Sequence, residues 1–462
     1  MFELIVLIGS MLAVFSGGPC WANEIEQRSH QSHSFQEIKR VTRELLLKEI
    51  ELERFNIDYR RHASVQGRWR GPRYYLSQGG NNAATMAGLF DAVSIREDEK
   101  PSRIALENSF VPQMVGQFVA AGGSATELLV NKFHDRQARA LALDSKNALR
   151  RARRFKEEID ALLKERGRLI EGAASTGSLS KKDLQLLQAE ELVLIDLTRL
   201  SLHEFVRFYV GARRFRWFQD SLYVVDIFKN VVGAAGNIVA IEGLKRGKPA
   251  YPGHGGVLVL TSGALIVINP IFSKGVGKVA GMISRRQCRG LVLDDVSEDE
   301  IDLDLHLDAF ARALGAASDE TELSAELKEI LDVHQEQCDL FKKKNEMAVR
   351  ELRQGTRAAT ENVLAGFVVG STKITLGILS MVAGYHHHHR PRHANELLED
   401  GSLVYGIGNA FGLADNTRIQ IRNEYERHKL KKERLLPAQI LEDHLNSLDR
   451  IEKTLTGEVL GR

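Results

Sequence analysis

The sequence predicts a mainly α-helical protein: a long antiparallel coiled-coil-like helical hairpin, apolar glycine-rich helices suited to a membrane, and one small β-hairpin near 290–308. Three observations predict it. Apolar residues recur every seventh position at Leu141, Ala148, Phe155, Leu162 and Leu169, the spacing that holds one helix face against another. The stretches 255–273 and 363–385 carry between them a single charge, Lys373, and are rich in Gly, Ala and Ser. Strict alternation occurs at Ile301, Leu303, Leu305 and Leu307, interleaved with Asp302, Asp304, His306 and Asp308, and period two belongs to a strand.

Taken in order, Leu4 to Phe15 is an uncharged run followed by Ser16-Gly17-Gly18-Pro19 and the small-x-Ala ending Cys20-Trp21-Ala22. That is the layout of a signal peptide over 1–22, with the alternatives of an uncleaved anchor or lipidation at Cys20. Residues 23–133 form an N-terminal helical region. Within it Ile38, Leu45, Leu52 and Tyr59 make a stripe that needs a helical partner, and Arg60, Arg61, Arg68, Trp69, Arg70, Arg73, Tyr74 and Tyr75 make a basic, aromatic loop.

Residues 134–220 are the hairpin. Its first arm carries Arg150, Arg151, Arg153 and Arg154 on the outer face, it turns at 172–177, and its second arm starts behind a capping box at Ser180 and Asp183. Residues 221–290 hold two apolar segments. The first, Tyr223 to Leu244, spans only if Asp226, Lys229 and Glu242 are tolerated; the second is predicted to kink at Asn269-Pro270. Residues 291–360 contain the hairpin of strands and a charged helix, 361–385 another apolar helix, and 386–462 a His-rich loop with C-terminal helices. The glycine pairs Gly277-x-x-x-Gly281 and Gly366-x-x-x-Gly370 each line one helix face and mark sites of close helix packing.

Composition narrows function. With 43% hydrophobic and 27% charged residues the chain is neither disordered nor apolar throughout, and 63 Lys and Arg against 61 Asp and Glu give no global reason to expect nucleic acid. No CxxC occurs, so Cys288 and Cys338 read either as one disulfide or as two buried thiols. There is no GxSxG, Walker loop or HExxH, and the acids of 302–308 lack the glycine and terminal glutamate of a calcium loop. No cofactor is expected, apart from a divalent metal at His386, His387, His388, His389 and His393, whose imidazoles are the right chemistry without a fixed geometry.

These observations lead to a non-enzymatic cell-envelope membrane protein. It is expected to be an exported, oligomeric assembly or scaffold component whose partners are the lipid membrane and further copies of itself or other envelope proteins. The alternatives are a secreted α-helical pore-forming protein and a metal-dependent envelope enzyme built on the His386–His393 tract.

Overall fold

The computed structural model describes residues 18–63, 70–98, 101–177, 179–248, 250–291, 303–317, 363–433 and 436–456, with short pieces between 331 and 339. The expected signal peptide lies almost wholly outside them, and a helix is already running at the Cys20-Trp21-Ala22 site. The helices are α1 (Gly18–Ala63), α2 (Arg70–Arg96), α3 (Arg103–Ala140), α4 (Ser145–Ser175), α5 (Lys181–Arg246), α6 (Tyr251–Gln287), α7 (Leu303–Ala317), α8 (Val363–Tyr385), α9 (Pro391–Lys432) and α10 (Pro437–Thr456). No strand occurs among the described residues.

The longest of these is α5. It begins at the Ser180 capping box, where Asp183 N–H donates to Ser180 Oγ at 3.1 Å and Ser180 N–H to the Asp183 carboxylate at 3.3 Å. It ends 66 residues later at Gly247, whose φ of 60° costs an L side chain energy but not glycine. At 1.5 Å per residue it is about 100 Å long. Residue 220 falls inside this unbroken helix.

The first half of α5, with α1, α4, α7 and α10, makes an arm with an apolar interior. Here α1 lies antiparallel to α4 and parallel to α5, so Phe55 meets Phe155 at 5.8 Å and Phe205 at 5.9 Å between ring centroids. The heptad stripes of α1 and α4 thus pair chiefly with one another, and α5 closes the third side. Leu141, placed in the predicted stripe, is 55% exposed. It caps α3, and the chain turns through Ala142, with φ at 54°, before α4 starts at Ser145. The hairpin therefore begins at 145, not 134.

The alternating segment also differs from expectation. Residues 303–308 are the first turns of α7, whose Leu303, Leu307, Phe310 and Leu314 pack on Leu186, Val193 and Leu197 of α5, while Leu305 is 53% exposed. The spacing i, i+4, i+7, i+11 is helical, and the alternation upstream of Leu303 lies outside the described residues. Cys288 and Cys338 are not joined to each other: they sit in different cores, with Cys338 Sγ donating to Asp304 Oδ1 at 3.3 Å.

The second half of α5, with α2, α3, α6, α8 and α9, makes a bundle of antiparallel neighbours. Among the described residues three helices are long and apolar enough to cross a membrane, α5, α6 and α8, and only 28% to 39% of their most apolar windows is buried. Phe228, Val231 and Ile238 of α5, Val257 and Ile268 of α6, and Phe367 and Ile378 of α8 are exposed. Many residues turned inward are small or polar, among them Thr85, Gln113, Gln117, Ser124, Asn230, Gly233, Asn237, Ser262, Asn269 and Asn409, beside one apolar cluster of Leu89, Val259, Leu376 and Tyr405. α6 continues through Pro270, whose missing N–H does not end the helix.

Candidate functional site

The interior of the bundle holds charge. One face of α5 carries Asp226, Asn230, Gly233 and Asn237, spaced four, three and four, so all four line the same side of the helix. Asp226, 1% exposed, is held from three directions. Tyr74 OH of α2 donates to its Oδ2, Asn269 Nδ2 of α6 donates to Oδ1 at 2.9 Å, and Lys229 Nζ, on its own helix, reaches Oδ1 at 2.6 Å. Asn269 is fixed in turn: it donates to Leu222 O at 3.3 Å and accepts from Ser273 Oγ at 3.0 Å. Ser262 Oγ donates to the Lys229 carbonyl at 2.7 Å and ties α6 to the same turn. Asn269 is on α6, which small residues bring close to α5: a Cβ on Gly236 would lie 3.2 Å from Gly255 O.

One turn further along, Lys373 of α8 is 2% exposed and, among the described residues, pairs with no carboxylate. Its ammonium lies 5.6 Å from the Tyr405 ring centroid. A Cβ on Gly233 would stand 2.8 Å from Lys373 Nζ and 2.7 Å from Gln117 Oε1, so the absence of a side chain there lets α8 and α3 present a cation and an amide to α5. Gln117 Oε1, Asn230 Nδ2, Asn237 Nδ2 and Asn409 Oδ1 are buried without a hydrogen-bond partner among the described residues. Orphaned polar groups in a bundle interior are the places water or an ion enters. The arrangement holds a carboxylate–ammonium pair and a separate lysine away from bulk solvent.

The residues expected from sequence fall elsewhere. His386, His388, His389 and His393 are exposed at the α8–α9 connection, and His387 is half-buried there. The His387 and His393 rings meet edge-on at 4.5 Å, and His393 Nδ1 lies 3.2 Å from Glu396 Oε2. Among the described residues no three His, Cys, Asp or Glu side chains are grouped to hold a metal ion.

The packing glycines lie within the chain. Gly277 faces Arg214 O at 3.0 Å and Phe218 Cβ at 3.1 Å, measured from the place of a Cβ, and Gly281 faces the Arg214 side chain at 3.6 Å, so both bring α6 onto α5. Gly370 of α8 meets Gly263 O of α6 at 3.0 Å and Val267 Cγ2 at 2.6 Å, whereas Gly366 has ordinary contacts with Pro270 and Ile266 at 3.5 and 3.6 Å.

Asp226, Lys229 and Lys373 count in the sequence as costs of membrane insertion. The signal that marks Asp226 is its register with Asn230, Gly233 and Asn237, which becomes visible once the run is drawn as a helix; Lys373 on α8 has no such signal. Of the basic, aromatic segment, Tyr74 reaches Asp226, Arg73 Nε donates to Glu127 at 2.9 Å and Arg60 pairs with Glu204, while Arg61 is exposed and Arg68 and Trp69 lie outside the described residues. No family model matches this chain, and no curated protein or solved structure is similar to it.

Proposed function

We propose that the protein is a membrane-embedded assembly component: a bundle that seats it in a bilayer, and a stiff helical arm outside the bilayer that presents a charged surface to other proteins of the envelope. The observation that carries the reading is α5. Along one continuous helix the buried residues change from Leu186, Leu187, Val193, Leu194 and Leu197 to Asp226, Asn230 and Asn237, while the exposed ones become Val224, Phe228 and Val231. Water rewards the first pattern and lipid the second. The arm's outer face, with Arg150, Arg153 and Arg154 exposed, suits a partner surface better than a substrate pocket.

The test is topological. In membranes of a producing cell the chain should resist carbonate extraction. Trypsin added to the arm side, at a concentration that digests the arm, should leave a fragment spanning 223–273 intact. Release by carbonate, or digestion within 223–273, would remove the membrane reading. A soluble pore-former stores its apolar helices inside before insertion; the outward Phe228, Ile238, Ile268 and Phe367 favour residence over such storage.

A second reading, movement of protons or small ions through the bundle, is favoured by one observation, the buried Asp226–Lys229 pair beside the carboxylate-free Lys373. Proteoliposomes loaded with a pH-sensitive dye should then show a proton leak that Asp226→Asn and Lys373→Met abolish. Tight liposomes with the native chain would remove this second reading.

A further inference from the structure

Where the bundle meets the arm, two of the helices that carry the apolar belt, α5 and α6, turn basic. The place is defined by contacts: Gly277 lies on Arg214 and Phe218, Asn131 Nδ2 donates to Asp220 Oδ1 at 2.6 Å, and Arg153 Nη2 donates to Gln287 O at 2.6 Å. The end of α3, the middle of α5 and the end of α6 therefore form one level of the molecule. Exposed there are Lys274, Lys278, Arg285 and Arg286 of α6 and Arg214 of α5, none paired with a carboxylate among the described residues. Lys274, Lys278 and Arg285, spaced four and seven, share one face. Large apolar side chains stand between them in the open: Phe133 of α3, Phe215 and Trp217 of α5, Phe272, Val279, Met282 and Ile283 of α6.

Length fixes the depth of this level. The 37 residues of α6 extend about 55 Å, while a hydrocarbon core takes about 30 Å, so roughly its last third stands at headgroup height and beyond. Long cationic side chains at that height reach outward along apolar stems to the phosphates. At the opposite end Arg246 is paired with Glu242 and Arg103 with Glu107 at 3.2 Å, beside exposed Lys245 and Lys248, which serve as the control.

We propose that this collar is a binding surface for anionic phospholipid headgroups, which would set the seat of the arm on the membrane. The inference rests on the membrane reading above. Aromatic and aliphatic groups exposed among the cations fit a lipid interface and do not suit a solvated polyanion such as nucleic acid. Each cation near an anionic surface contributes on the order of fivefold in partitioning, so four together dominate the selectivity.

The full chain is reconstituted into vesicles of phosphatidylcholine alone and of an equal mixture with phosphatidylglycerol, then moved to detergent, and the retained lipid is weighed by native mass spectrometry. The native protein should retain phosphatidylglycerol in preference, and the preference should fall as salt is raised during transfer. The variant K274Q/K278Q/R285Q/R286Q should lose it by at least about tenfold, while K245Q/K248Q at the opposite end keeps it. If the fourfold variant does not fold, Lys274→Gln alone and the salt series carry the same test. Equal retention of both lipids by a native protein that stays in carbonate-washed membranes overturns the collar and leaves the membrane reading standing; loss from the washed membranes overturns both. Tighter binding of a short DNA duplex than of phosphatidylglycerol vesicles overturns the lipid assignment.

Discussion

The two halves of α5 solve opposite problems. In the arm the helix is surrounded by water, and apolar side chains such as Leu194, Leu197, Leu202 and Phe205 go inside because burial removes them from it. In the bundle the surroundings are treated as lipid. No such force separates inside from outside, and the helices are joined by close small-residue contacts and polar bonds at Gly233, Gly236, Asp226 and Asn269. The arm has its own buried charge, Arg166, fully inaccessible, whose guanidinium donates to Thr42 Oγ1 at 2.9 Å, to Glu190 and to Leu187 O at 3.3 Å. That group is saturated, whereas Lys373 in the bundle is not. Arg166 ties α4 to α1 and α5, whereas Lys373 pairs with no carboxylate among the described residues.

The largest expected effect breaks the arm and spares the bundle. Phe155→Asp places a carboxylate among Phe55, Phe205 and Ala152 and should cost about 5 kcal/mol or more, seen as loss of the arm's protection from proteolysis while 223–273 stays in the membrane. Because Phe155 packs on α1, a fragment limited to 134–211 would miss this contact. Next, Arg166→Met alone strands Glu190 and should cost about 3–5 kcal/mol in thermal unfolding, whereas Arg166→Met with Glu190→Met should recover most of it.

In the bundle, Gly370→Leu drives a side chain into Val267 and the Gly263 carbonyl. It should cost about 1–3 kcal/mol as an internal misfit, read as a lower melting temperature of the monomer in detergent. A change in oligomer size at unchanged melting temperature would instead place Gly370 at a contact between copies.

Glu49 gives a pH test. Burial pushes its carboxyl up from 4.5 to about 8, with Thr198 bonded to it and Glu53 nearby. The folded arm therefore holds a proton that the unfolded chain releases near 4.5. The stability is fully present below 4.5 and is lost as pH rises toward 8. Glu49→Gln should flatten this slope and stabilise the arm by on the order of 2 kcal/mol at pH 8. Last, Arg154→Asp should cost well under about 1 kcal/mol, since the Arg154 side chain is 80% exposed and loses only its surface pair with Glu158 at 2.8 Å.

What was legible follows the same division. The stripes of α1 and α4 and the capping box of α5 are local and were readable; which stripe meets which is not local, so α1, about a hundred residues before α4, was left without its partner. Leu141 kept the seven-residue spacing by chance on the far side of a turn. At 301–307 four alternating positions, Ile301, Leu303, Leu305 and Leu307, suggest a strand, and only Phe310 and Leu314 further on reveal the helical period. In the bundle, an isolated Asp or Lys in an apolar run reads as a penalty until helices that lie far apart in sequence bring Tyr74 and Asn269 to it.

The seam between α1 and α10 has a consequence for biogenesis. Arg54 pairs with Asp449 and Glu452, His444 Nε2 lies 3.3 Å from Glu53 Oε2, and Ile50 and Ile57 pack on Leu441, Leu448 and Ile451, joining segments up to 398 residues apart. At about 5–20 residues per second, α1 waits tens of seconds on the ribosome before that neighbour exists. Every bundle helix is made in the interval. If the bundle resides in a bilayer as proposed, the seam with α10 closes only after the bundle helices have been made, so completion of the arm would report that insertion has already happened.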